Sequence, residues 1–136
     1  MARAAVAAVL ALAALAAGCG GDDGGGDAVG AIESCLEDAG LDSRSSDVNA
    51  IDSELVAAGA THQFVAIDVD NQDYTYDVTV FSSPEKANDF ARKEQNDNEQ
   101  QPQLKFQTES FGSNVVTAST EAPKRDDVRT CAEENG

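Results

Sequence analysis

Phe64-Val65-Ala66-Ile67-Asp68-Val69, then Asp70-Asn71-Gln72-Asp73, then Tyr74-Thr75-Tyr76-Asp77-Val78-Thr79-Val80 form the segment that sets the class of structure. In the first run Val65, Ile67 and Val69 alternate with Phe64, Ala66 and Asp68. In the second, Tyr74, Tyr76, Val78 and Val80 alternate with Thr75, Asp77 and Thr79. A period of two belongs to extended chain, whose successive side chains point to opposite faces. The four residues between the runs are types that tolerate turn geometry and bond their own backbone. Together they predict an antiparallel hairpin with one buried face.

A second hairpin is expected from Leu104 to Glu109 and from Asn114 to Thr120, turning at Phe111-Gly112-Ser113. Between the hairpins, Ser82-Ser83-Pro84-Glu85 supplies capping hydroxyls, a first-turn proline and an early acid, which together start a helix. Ala87, Phe90 and Ala91 give it a narrow apolar face, and residues 92–103 read as a solvated helix end and loop. Pro123, Asp126 and Asp127 begin a closing helix whose Val128, Cys131 and Ala132 share one face. At the other end Ala28, Ile32, Cys35, Leu36 and Ala39 recur at helical spacing, with Asp27 as cap and Gly40 as terminator. Asp47 is expected to cap a second short helix carrying Val48, Ile51, Leu55 and Val56 and closed by Gly59; an irregular segment is the alternative. The order α-(α)-β-β-α-β-β-α predicts an α+β two-layer sandwich, a four-stranded antiparallel sheet from two hairpins with helices packed on it.

The N-terminus reads differently. Met1-Ala2-Arg3 is followed from Ala4 to Ala17 by Ala, Val and Leu only, then by Gly18 and Cys19. A basic start, a short apolar run and small residues before a cut site make a secretory signal peptide over residues 1–18. The apolar run is too short for a transmembrane helix, which needs about 20 apolar residues. Residues 19–27 hold Gly20-Gly21-Asp22-Asp23-Gly24-Gly25-Gly26-Asp27, which has no apolar side chain and reads as a flexible tether. Residues 28–136 then form a single domain.

The closing Leu15-Ala16-Ala17-Gly18-Cys19 resembles a bacterial lipobox, whose cysteine receives a diacylglyceryl group and becomes the mature N-terminus. Cleavage that leaves a free secreted protein is the alternative. With Cys19 assigned to lipid, Cys35 and Cys131 remain as a pair in an oxidising compartment, where paired thiols form disulfides. A redox or metal role would want a close Cys-x-x-Cys pair, and these two are far apart in sequence.

The chain resembles the small, mostly uncharacterised lipoproteins of actinobacteria. The resemblance is carried by the lipobox-like segment, the Gly/Asp tether and Cys35-Leu36-Glu37-Asp38-Ala39-Gly40. Phe81-Ser82-Ser83-Pro84-Glu85-Lys86-Ala87, Gly112-Ser113-Asn114-Val115-Val116 and Val128-Arg129-Thr130-Cys131 carry the rest. It implies the fold and the disulfide and brings no activity with it.

Motifs for chemistry are few. His62 is the single histidine and reads as a surface or capping residue at a strand entrance. Neither a Gly-x-Ser-x-Gly elbow nor a Gly-x-x-x-x-Gly-Lys phosphate loop occurs. Asp68, Asp70 and Asp73 place three carboxylates around a turn, an arrangement that calcium could use. As an EF-hand loop it fails, because Asp73 stands at the glycine position and Thr79 at the final glutamate. The turn reading is preferred, so no catalytic residue, metal ligand or cofactor is assigned.

The full chain carries 25 acidic and 9 basic residues. Without residues 1–18 the balance is 8 basic to 25 acidic, and residues 19–80 hold 14 acids against Arg44 alone. Such a field repels nucleic-acid phosphates, so nucleic acid is not an expected partner. The expected function is a membrane-anchored extracytoplasmic lipoprotein acting as a non-catalytic binding module, with an envelope protein or wall component as possible partner. An envelope hydrolase with a site assembled from dispersed residues is the alternative.

Overall fold

The computed structural model describes residues 24–136, with side chains from residue 28. The expected signal peptide over 1–18, Cys19 and residues 20–23 of the expected tether lie outside the described residues. The elements run α1 (Gly24–Asp38), β1 (Leu41–Asp47), α2 (Ser53–Ala57), β2 (Ala60–Asp68), β3 (Thr75–Phe81), α3 (Pro84–Glu99), a 3-10 turn (Pro102–Leu104), β4 (Phe106–Phe111), β5 (Asn114–Ser119) and α4 (Arg125–Glu134). All strand pairs are antiparallel, in the order β1-β2-β3-β5-β4. The fold is α+β, as expected. No described helix is long and apolar enough to cross a membrane.

Both hairpins form where alternation places them. The first turns on Asn71, whose Oδ1 accepts from the Asp73 amide, while Asp68 Oδ1 accepts from the Asp70 amide. The second turns on Gly112, at φ 57. Helix α3 starts as its sequence dictates: Ser83 Oγ accepts from the Lys86 amide and Pro84 occupies the first turn.

Three expectations about individual elements need correction. The sheet has five strands, because Leu41–Asp47 pairs along its length with β2, from Leu41 opposite Asp68 to Asp47 opposite His62. Only Leu41 of this edge strand is apolar and buried; the backbone ladder holds the rest. The second helix is shorter than expected and capped by Asp52, not Asp47. Asp47 instead closes a turn, its Oδ1 accepting from the Asn49 amide and its carbonyl from Ala50 and Ile51. Finally, α1 begins at Gly24, inside the segment read as tether. Extending a helix costs less than starting one, so a stripe anchored at Ile32 and Leu36 can carry weak helix formers before it.

The layering also differs, since helices cover both faces. On one face α1 and α4 bury Phe64, Ala66, Tyr76, Val78, Val80, Val116 and Ala118 beneath Ile32, Leu36, Val128 and Ala132. On the other, Ala87 and Ala91 of α3 pack with Ala60, Phe81 and Val115 in a smaller cluster. Val80-Phe81 and Val115-Val116 are neighbours in strands, so each pair divides between the two clusters. A bulge at the start of β2 brings Ala60 opposite Phe81 and His62 opposite Val80.

Cys35 of α1 and Cys131 of α4 form a disulfide, with Cα atoms 5.6 Å apart and 96 positions between them in sequence. Closing so long a loop removes unfolded-state entropy worth about 4–5 kcal/mol on the chain-entropy model. Replacing both with alanine is therefore expected to lower the unfolding free energy by up to about 4–5 kcal/mol in urea titrations. A loss under about 1 kcal/mol would show that the bridge does not constrain the unfolded chain.

Candidate functional site

The polar phase of the first hairpin faces away from α1 and α4. With Tyr76, Val78 and Val80 turned into the larger core, Asp77 and Thr79 point to the opposite side. Register sets Gln63 of β2 opposite Thr79, and Asp77 opposite Thr117 of β5. Three strands thus contribute one polar strip. Helix α3 covers the sheet on the β4 side and α2 lies over β2, leaving the strip as the floor of a cleft of about 440 Å³. Leu55 of α2, Ala58 at its C-cap and Phe90 of α3 give the walls apolar surface, and Asp52, Glu54, Lys93 and Glu94 bring charge to it. Clefts of this size accommodate small ligands.

The floor is unevenly satisfied. Thr117 is engaged, its hydroxyl 3.0 Å from that of Thr108. Thr108 in turn receives the Asn98 amide at 3.1 Å and gives its backbone N–H to Gln95 Oε1 at 3.1 Å. The side chains of Gln63, Asp77 and Thr79, by contrast, hydrogen-bond none of the described residues, and the Thr79 hydroxyl keeps access to the cleft although the residue is 5 % exposed. Burial pushes the Asp77 carboxyl above its ordinary value of 3.8, and no cation offsets it. Lys93, the cleft's own base, is held 3.4 Å from Asp97 and 3.6 Å from Glu94, and the Asp97 bond first, with both charges, raises its pKa.

The residues singled out from sequence lie elsewhere. Cys35 and Cys131 belong to the core on the far side of the sheet. Among the described residues the His62 side chain hydrogen-bonds Thr61 alone, its Nδ1 3.3 Å from that hydroxyl, and it does not line the cleft. Asp68 is buried, with its Oδ1 3.0 Å from the Lys124 ammonium, which lies 3.9 Å from Asp70. The positive charge at this turn is thus supplied by the chain itself. Burial pushes Asp68 up, but the Asp70 amide and the Lys124 ammonium outweigh it and hold the carboxyl below 3.8. Asp68 in return raises Lys124 above 10.5, against burial.

Lys124 is a structural hub. Its ammonium also donates to the Gly40 carbonyl at 3.1 Å, and its backbone N–H donates to the hydroxyl of fully buried Tyr76 at 2.9 Å. Gly40 sits at φ 78, and a Cβ there would stand 2.8 Å from the Lys124 nitrogen. A second ionic group fastens α4 to β4. Glu109 lies 3.1 Å from Arg125 and 2.9 Å from Arg129, and Arg129 stacks 5.7 Å from the Phe111 ring centroid.

Alternation in the sequence marks Asp77 and Thr79 as the polar phase of a strand, whereas Gln63 precedes the first alternating run and carries no such signal. The chain matches no protein-family model, and neither a curated protein nor a solved structure matches it.

Two pH dependences follow. Asp77 is raised in the folded state, so its stabilising contribution is full below pH 3.8 and lost as pH rises through the folded value. Asp77→Asn should accordingly be more stable than the parent near neutral pH, with the gain vanishing below pH 3.8, as read from urea midpoints. Asp68 is lowered and Lys124 raised, so their pair stabilises between these limits. That contribution is lost as pH falls through the Asp68 value and as it climbs through that of Lys124. Thermal scans of Lys124→Met across pH should show both limbs flattened; unchanged limbs would mean that the pair does not couple to folding.

Proposed function

We propose that this is an extracytoplasmic lipoprotein, held to the bacterial cell membrane by diacylglycerol on Cys19, whose domain is a non-catalytic binding module of the cell envelope. The cleft between α2 and α3 is its binding site. The anchor rests on the basic, apolar and small-residue order of residues 1–18 and on the resemblance of Leu15-Ala16-Ala17-Gly18-Cys19 to a lipobox. Only residues 20–23 separate Cys19 from α1, so the domain stands close to its lipid.

The observation that carries the binding reading is the polar strip of Gln63, Asp77 and Thr79 on the cleft floor, whose side chains have no hydrogen-bond partner among the described residues. A ligand that hydrogen-bonds these three groups gains those contacts on binding. Binding is favoured over hydrolysis because, among the described residues, no side-chain base is hydrogen-bonded to the Thr79 hydroxyl, and His62 does not line the cleft. The acidic balance supports a partner other than nucleic acid.

Mass spectrometry of the intact, membrane-extracted protein tests the anchor. The expected N-terminus is Cys19 carrying diacylglycerol, and Cys19→Ala should move the protein to the soluble fraction. A wild-type product that starts elsewhere without lipid would contradict it.

A further inference from the structure

We infer that the cleft between α2 and α3 takes a small organic cation, an ammonium or guanidinium group carried on an apolar body. The inference rests on the proposed use of this cleft for binding and adds the ligand's chemical class. The floor presents one carboxylate, Asp77, beside the hydroxyl of Thr79 and the amide of Gln63, and all three are free of hydrogen bonds to described residues. A carboxylate only accepts hydrogen bonds, and a hydroxyl and an amide oxygen accept them too, so a group bearing several N–H donors satisfies the set. Charge-assisted bonds of this kind are the stronger class.

The walls define the rest of the ligand. Leu55 and Ala58 on one side and the Phe90 ring on the other give it apolar contact, and an aromatic ring in the wall favours a cationic ligand over an anionic one. Phe90 is fixed for this by Phe81, whose ring centroid lies 5.0 Å away. An anion would meet Asp52, Glu54, Asp77 and Glu94 against Lys93, whose ammonium is already engaged by Asp97 and Glu94. A neutral ligand would leave the half-buried Asp77 charge uncompensated. A divalent metal ion prefers six or more oxygen ligands, whereas this floor offers a single carboxylate, and among the described residues no three acidic, histidine or cysteine side chains gather closely enough to hold a metal.

The test is an amide-shift titration of the full chain with benzylamine, with benzyl alcohol and benzoate as uncharged and anionic counterparts. Benzylamine should saturate, with shifts confined to β2, β3, α2 and α3, and bind at least about tenfold tighter than benzyl alcohol. Asp77→Asn should lower its affinity by about tenfold or more. Glu133→Gln, which removes an exposed charge on α4, should leave it unchanged. Equal binding of amine and alcohol, or an affinity indifferent to Asp77→Asn, overturns the cationic class while keeping the cleft as a binding site. Localised binding of benzoate in preference to the amine does the same. Shifts scattered over the acidic surface, weakened equally by Glu133→Gln, would mean charge screening alone and overturn both the ligand class and the cleft as a site.

Discussion

The bridge between Cys35 and Cys131 joins the first helix to the last, and the burial of the sheet's apolar face depends on those two helices staying together. Neither α1 nor α4 covers Phe64, Tyr76 and Val78 alone. Ile32 and Leu36 come from one, Val128 and Ala132 from the other, and the disulfide lies in their seam. A domain of this size buries a modest core, so a covalent tie between its ends matters more than it would in a larger protein. Lys124 reinforces the same junction without covalency. It joins the end of α1 through Gly40, the end of β2 through Asp68 and the start of α4 through its own backbone bond to Tyr76.

The opposite face is built on another principle. Helix α3 has two buried alanines and docks its second half through Gln95 and Asn98 on Thr108. Helix α2 has five residues and no buried side chain. Polar docking and a short helix leave part of the sheet uncovered, and the uncovered part is the strip of Gln63, Asp77 and Thr79. The cleft is thus what remains when one side of the sheet is closed by a stapled apolar layer and the other by two lightly held helices. Asp77 is the cost of that arrangement, a carboxyl that burial destabilises and no neighbour neutralises. Groups left in this condition on a cleft floor favour a functional reading over a structural one.

Much of the fold was legible because alternation and capping are local signals. The two hairpins, the Ser83-Pro84 helix start and the closing helix follow from residues near one another in the chain, and the Cys35–Cys131 pair from cysteine arithmetic once Cys19 is set aside. Strand β1 was not legible. Leu41-Asp42-Ser43-Arg44-Ser45-Ser46-Asp47 has one apolar residue and turn-favouring composition, and its strand state comes from the β2 ladder. Polar edge strands of this kind also discourage pairing with other chains. The second helical layer was legible in part, since Val80-Phe81 and Val115-Val116 break the alternation and signal burial on both faces. The site was legible only as the polar phase of β3. Which of its residues lie open depends on where α3 stops covering the sheet, and α3 is placed by side-chain hydrogen bonds with no periodic signature.

If the staple acts on the unfolded chain, it stabilises every amide that exchanges only through global unfolding by the same amount. Amides that open locally are indifferent to it. Per-residue hydrogen exchange on the oxidised and reduced protein reads this. The account predicts that reduction speeds exchange in α1, α4 and the central strands β2, β3 and β5 by one common factor, while α2 beside the cleft is unchanged. Faster exchange confined to α1 and α4, with the strands unaffected, would contradict it.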